Sequence, residues 1–205
     1  NGRVYLAAFF RQGACVGLLV ALAAVLRLNG LGRWSLWLDE TLQYKNSATP
    51  LNQFHLALMS QDMPLSFLLT HALVSARFDE NEWQLRLPFA ILGMATVPLV
   101  YLLARELFGQ RAGFFVGLVA CVMPVLVIYS QEYRAYGLLV FLTTLCAWSL
   151  AVALRTNGRG WWALFVGAAI LSLYTHFVAI FFVAGLGVFA VGCVLLRMRD
   201  GEPVW

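Results

Sequence analysis

The stretch MPLSFLLTHALVSA, Met63–Ala76, decides how the rest of the chain is arranged. It is apolar enough to enter a bilayer. At 14 residues, however, it is short for a helix that must cross hydrocarbon about 30 Å thick, which takes roughly 20 residues. Six longer apolar segments accompany it: Gln12–Leu28, Leu87–Ala104, Ala112–Tyr129, Tyr136–Leu154, Trp161–Tyr174 and Phe177–Leu196. If the short segment crossed, every later segment would change sides. Arginine placement decides the matter, because basic residues concentrate in cytoplasmic loops. With Met63–Ala76 kept on one side, Arg3 and Arg11, Arg105 and Arg111, Arg155 and Arg159, and Arg197 and Arg199 all face the cytoplasm. Asp39, Glu40, Asp62, Asp79, Glu80, Glu82 and Glu132 then face outward. The expected fold is therefore all-α, a polytopic membrane helix bundle of about six transmembrane helices. It forms a single transmembrane domain over residues 1–205. Its long first outer loop, residues 29–86, carries juxtamembrane helices, and Met63–Ala76 lies in or dips into the outer leaflet.

Composition agrees. Apolar residues make up 61% of the chain and charged residues 12%, about half the charged share of a soluble domain. The net charge of +4 does not imply nucleic acid, because the arginines sit singly at the ends of apolar runs. Lys45 is the one lysine, so there is no polybasic lipid-binding tract. Cys15, Cys121, Cys146 and Cys193 lie within apolar runs without metal-ligand spacing and read as packing residues. Gln12–Leu28 is longer than a signal-peptide core and lacks a convincing cleavage site after it, so it reads as the first span. Phe108-Gly109-Gln110 and Thr156-Asn157-Gly158 read as cytoplasmic turns between antiparallel helices. Trp34, Trp37, Trp83, Tyr129, Tyr133 and Tyr174 cluster near the outer boundary, where an aromatic belt explains most of them. Gly185 and Gly187, inside the last span, read as helix packing.

Four outer elements carry polar chemistry. Trp37-Leu38-Asp39-Glu40 sets two adjacent carboxylates in an aromatic and apolar stretch, where a low dielectric raises a carboxyl toward the range of a general base. Asp39 could equally cap a short helix starting at Glu40. Tyr129-Ser130-Gln131-Glu132-Tyr133-Arg134-Ala135-Tyr136 puts an acid, an amide, a guanidinium and three tyrosines at the outer interface. Arg134 there could bind a phosphate bidentately, or pair with Glu132 to close a hairpin. His176 follows the fifth span on the same side, whereas His55 and His71 read as structural. Asp62 and Pro64 suit the start of a short helix. Arginine placement alone brings these distant elements to one side of the membrane.

In these motifs the chain resembles the GT-C type glycosyltransferases, specifically the bacterial family 39-like group related to protein O-mannosyltransferases and lipid A aminoarabinose transferase. The resemblance rests on WLDE at Trp37–Glu40 and MPLSFLLTHAL at Met63–Leu73, then EWQLRLPFAILG at Glu82–Gly93. LARELFGQRAG at Leu103–Gly113, YSQEYRAYGLL at Tyr129–Leu139 and LYTHF at Leu173–Phe177 complete it, all in the same order and spacing. It covers the N-terminal portion of such enzymes, which continue through further spans. The resemblance implies a first outer loop with two helices lying along the membrane. It also implies transfer of a sugar, hexosyl or pentosyl, from a polyprenyl-phosphate donor to an extracytoplasmic acceptor hydroxyl, with inversion. Asp39 would be the general base and Glu40 its acidic partner. Gln131, Glu132, Arg134, Tyr136 and His176 would line the substrate site. Where the family usually has a basic or histidine residue and paired prolines, this chain has Asp62-Met63-Pro64.

No cofactor is expected beyond the lipid-linked donor, and no metal site is assigned. Asp39 and Glu40 could share a divalent ion, but no third ligand is apparent. The expected partners are the polyprenyl-phosphate donor, membrane lipids and partner membrane subunits, with no nucleic acid. The expected location is the bacterial cytoplasmic (inner) membrane, with the active face extracytoplasmic. The competing expectation is a non-catalytic GT-C-derived structural subunit of a larger membrane complex. Buried midplane charges would be needed for a transporter.

Overall fold

The computed structural model describes residues 2–55 and 63–199, with side chains from Gly13 onward. Asp62 lies outside the described residues. Among them there are nine α-helices and no strand. We number these α1 (Gly2–Leu28), α2 (Leu38–Ser47), α3 (Pro64–Ser75), α4 (Glu82–Phe108), α5 (Gln110–Val122), α6 (Pro124–Ser130), α7 (Tyr136–Thr156), α8 (Arg159–Thr175) and α9 (Ala179–Arg199). A 3₁₀ turn at Leu51–Gln53 follows α2.

Local chemistry sets the helix ends. Pro64 occupies the first turn of α3, where its missing N–H costs nothing. The Asn81 side chain caps α4 by accepting the Gln84 N–H at 3.0 Å. The turn after α4 passes through Gly109 at φ 89°, and the turn after α7 through Asn157 at φ 52°. These are two of the residue types that tolerate the left-handed region best, and they stand where the sequence places turns.

Helix α4 is the axis of the bundle, packing against α1, α5, α6 and α7. Helix α7 in turn packs against α8 and α9. The short α3 rests on α2 and on α8. At the end of the bundle where α4 finishes, Glu106 pairs with Arg155 of α7. Leu19, Ala23, Val97, Tyr101 and Cys121 form one core between α1, α4 and α5. A second core of Leu85, Phe89 and Tyr133 lies at the opposite end, with Leu36, Tyr44, Leu69 and Leu73 packed against it.

Three helices, α4, α7 and α9, are long and apolar enough to cross a membrane, and a fourth span arises if α5 and α6 are taken as one. Those two are bent by 58° at Met123, a break the sequence reading did not anticipate. Pro124 causes it, because proline cannot donate to the helix ladder. Gly13–Leu28 and Pro64–Ser75 are apolar but shorter, and α8 has 17 residues.

The glycines that pack are not the expected ones. A Cβ added at Gly185 or Gly187 would meet nothing within 4 Å, whereas one at Gly93 would lie 2.3 Å from the Ser130 Cβ. Gly93 thus lets the α4 backbone pack directly against the Ser130 side chain of α6. Tyr133 also departs from the expected aromatic belt, being 0% exposed while Trp34 is 71% exposed. Gly93→Ala should destabilise the chain by about 1–3 kcal/mol, as over-packing does. Gly185→Ala should stay within about 0.5 kcal/mol of the parent. Equilibrium unfolding in mild detergent compares them, and equal effects would refute the close crossing.

Candidate active site

The loop between α6 and α7, the start of α2 and the residue after α8 meet at one end of the bundle. Glu40 organises the meeting. It is fully buried in the third position of α2. Its Oε1 accepts from Arg86 Nε at 2.8 Å and from the Tyr133 N–H at 2.7 Å. Its Oε2 accepts from Arg86 Nη2 at 2.6 Å and from the Trp37 N–H at 3.3 Å. Both carboxylate oxygens are therefore spent. Arg86 donates further to the carbonyls of Leu31, Trp34 and Ser35. One ion pair thus joins α2, α4, the segment after α1 and the α6–α7 loop.

Asp39 precedes Glu40 and so stands about 100° round the helix from it, 40% exposed. Arg134 Nη2 lies 3.8 Å from Asp39 Oδ2, and its Nη1 donates to the Asp39 carbonyl at 3.4 Å. The same guanidinium lies 5.7 Å from the centre of the Tyr136 ring. Tyr136 in turn contacts the His176 ring at 5.7 Å. Asp39, Arg134, Tyr136 and His176 therefore form one continuous chain of contacts, contributed by α2, the α6–α7 loop, α7 and the α8–α9 junction.

His176 Nδ1 accepts the Val178 N–H at 3.2 Å, which puts the proton of the neutral ring on Nε2. Burial lowers its pKa, and the nearby Arg134 lowers it further. At neutral pH the ring is thus an uncharged hydrogen-bond donor. Glu132 is perturbed the other way. Burial pushes its carboxyl above the usual range, and Glu40 adds to the rise. Arg134 and Arg86 oppose this, and Asp39 adds a smaller upward push. Its Oε2 is buried without a hydrogen-bond partner. Such an atom is costly to leave unpaired and is suited to a donor from outside the chain.

Gln131 stands apart from this group. Its amide donates to the carbonyls of Leu26, Arg27 and Asn29 at 3.3, 3.1 and 3.1 Å, closing the end of α1. Sequence reasoning missed Arg86 and Arg27. The available signal was a basic residue at the end of an apolar run, opposite to the end where the arginine pairs lie. Among the described residues no group of three or more His, Cys, Asp or Glu could hold a metal ion.

A family model described as "Dolichyl-phosphate-mannose-protein mannosyltransferase" matches residues 62–198. The chain belongs to this mannosyltransferase family. It is also 28% identical over 189 residues to "Putative mannosyltransferase YkcB" of Bacillus subtilis (strain 168), covering 86% of this chain. That match spans 24% of the relative's own length. No solved structure matches the chain. The mannosyltransferase match includes Glu132, Arg134, Tyr136 and His176 but begins after Asp39 and Glu40.

Removing one partner of the buried pair, as Arg86→Met or Glu40→Leu, should cost about 3–5 kcal/mol, because a lone charge remains buried. The double variant should cost less than the sum. Unfolding measurements on the four proteins give the coupling, and simple additivity would show that the pair does not join these elements. Glu132 has its own signature. Because its folded pKa is raised, its contribution to stability is complete below the unfolded value near ~4.3. It is lost as pH rises through the folded value. Glu132→Gln should therefore flatten the fall in thermal midpoint above about pH 4; a slope equal to the parent's would contradict the shift.

Proposed function

We propose that the chain is the catalytic N-terminal module of a membrane glycosyltransferase that moves a sugar, mannose being the first candidate, from a polyprenyl phosphate to an acceptor hydroxyl. The observation that carries this reading is the contact chain from Asp39 through Arg134 and Tyr136 to His176, in a chain that belongs to a mannosyltransferase family. Asp39 is the partly exposed carboxylate and acts as general base. It takes the proton of the acceptor hydroxyl as that oxygen attacks the anomeric carbon. The bond from carbon to the phosphate oxygen breaks, and polyprenyl phosphate leaves with the electron pair. Attack opposite the leaving group inverts the anomeric centre. Arg134 offers a fixed positive charge to the phosphate as negative charge builds on its bridging oxygen. His176 Nε2–H and the free Glu132 oxygen are a donor and an acceptor for sugar hydroxyls. Glu40, with both oxygens occupied, is a positioning residue that sets where Asp39 stands, and Gln131 holds the loop rather than the substrate.

The membrane arrangement follows from the same reading. Six crossings are α1, α4, the bent α5–α6 pair, α7, α8 and α9. Helices α2 and α3 then lie within the outer loop of residues 29–86, α3 being about 18 Å long at 12 residues. The site and the Glu106–Arg155 pair sit at opposite ends of α4 and α7, which supports an extracytoplasmic site opposite the arginine-rich turns. The bacterial inner membrane suits a polyprenyl-phosphate donor.

Asp39→Asn should abolish transfer from polyprenyl-phosphate mannose in nanodiscs, by at least about 100-fold, with the thermal midpoint of the parent retained. Parental turnover in that variant would remove Asp39 from the mechanism. Single cysteines at Thr41 and Ala135 should react with an impermeant thiol reagent from the same side. Opposite-side reactivity would break the site apart.

A further inference from the structure

We propose that Arg27 and Gln131 form a reciprocal clasp that positions the Glu132–Arg134 loop, making Arg27 a positioning residue for the reaction; this rests on the function proposed above. The need for a clasp begins at Pro124. Without an N–H, Pro124 leaves the Ala120 carbonyl without its ladder partner, and the break at Met123 leaves the last carbonyls of α5 to be satisfied elsewhere. Arg27 reaches across from α1 to do this. Its Nη2 donates to the Ala120 carbonyl at 3.1 Å and its Nη1 to the Cys121 carbonyl at 3.2 Å. The end of α1 has the same requirement, and the Gln131 amide meets it from the far side of α6. Each element therefore has its loose carbonyls held by a side chain from the other.

The clasp fixes the loop's register. Gln131 is tied to α1, and two residues on, the Tyr133 N–H is tied to Glu40 of α2. Tyr133 Oη reaches Ser47 Oγ at 3.0 Å. Gln131 and Tyr133 are thereby committed to the scaffold. The alternate residues Glu132 and Arg134 are the ones left to meet substrate. Arg27 is 1% exposed, and a buried guanidinium is expensive in an apolar bundle. Leucine or methionine would fill the space at lower cost, so packing alone does not account for it.

The third guanidinium nitrogen is unspent. Arg27 Nε has no partner and is buried. It borders a cavity of about 10 Å³ lined in part by Gly93, Thr96, Tyr129, Ser130 and Gly137. That is room for about one water. A Cβ at Gly93 would stand 3.3 Å from this nitrogen, so the glycine crossing also makes room for the guanidinium.

Two readouts on the chain in nanodiscs test the clasp. Hydrogen exchange of the amides of residues 131–135 requires no substrate. Arg27→Leu should speed their exchange at least about tenfold while amides of α7 and α8 keep parental rates. Gln131→Ala, a milder change at a half-buried site, should do the same. Transfer from polyprenyl-phosphate mannose should show kcat reduced roughly 10- to 100-fold in Arg27→Leu with KM for the donor nearly unchanged, as expected for misplaced catalytic groups. Arg27→Lys, which keeps the charge but loses the planar fork, should recover part of kcat. Parental exchange at 131–135 in both Arg27→Leu and Gln131→Ala, or acceleration spread evenly over the bundle, would overturn the clasp. Faster loop exchange with parental kcat would overturn its positioning role. A parent chain that transfers no sugar overturns the proposed function instead, and is seen before any variant is made.

Discussion

The buried pair between Glu40 and Arg86 constrains everything around it. A guanidinium and a carboxylate removed from water repay their desolvation only if nearly every donor and acceptor is used. Here four N–H groups converge on Glu40, and Arg86 spends its remaining donors on three carbonyls of the chain before α2. Those bonds dictate the path from α1 into α2, the seat of α2 against α4 and the approach of the α6–α7 loop. Because Glu40 must face inward, Asp39 is turned to the rim. The adjacent acids of the WLDE motif thus have opposite environments, one saturated and buried, the other 40% exposed beside Arg134.

The same division recurs along YSQEYRAY. Gln131 and Tyr133 bond to α1 and α2, while Glu132 and Arg134 remain as the charged groups at the meeting point. A loop whose neighbouring side chains diverge can give alternate residues to support and to chemistry. That explains why a short polar motif between two apolar helices can be dense with hydrogen-bonding groups without all of them being substrate ligands.

Much of the architecture was legible because it rests on one-dimensional signals. Apolar runs, Pro64, Gly109 and Asn157 specify helices, a start and two turns from local chemistry alone. The meeting of Asp39, Glu132, Arg134, Tyr136 and His176 was legible through arginine placement, which sorts loops between the two ends without any knowledge of contacts. Partner choice was not legible. Whether Glu40 faces a substrate or Arg86, or Gln131 a sugar or the end of α1, depends on helix rotation and crossing, which spacing does not encode. The bend at Met123 was hidden because Ala112–Tyr129 is continuously apolar, and hydropathy averages over the single proline that breaks it. Gly185 and Gly187 misled for a related reason: small residues permit close packing but do not require it. Gly93, which is used, was distinguished only by its neighbour in three dimensions.

Charge balance at the site links its structure to the proposed chemistry. Asp39, Glu40 and Glu132 face Arg86 and Arg134, three acids against two cations, and burial together with Glu40 raises the Glu132 carboxyl above its usual range. Glu40 and Arg86 neutralise each other in a saturated pair, leaving Asp39 and Arg134 as the responsive couple. Their separation of 3.8 Å is loose compared with the 2.6 Å of the buried pair. On the proposed reading, when Asp39 accepts the acceptor's proton it loses its charge and its hold on Arg134. On the same reading the guanidinium, held where it stands, is then unopposed as negative charge builds on the leaving phosphate oxygen. The proposed base and the proposed phosphate ligand are coupled on this reading, because each is the other's counter-ion at rest. On that same reading, a tighter Asp39–Arg134 bond would stabilise the resting site at the expense of the transition state, and the loose geometry suits differential stabilisation.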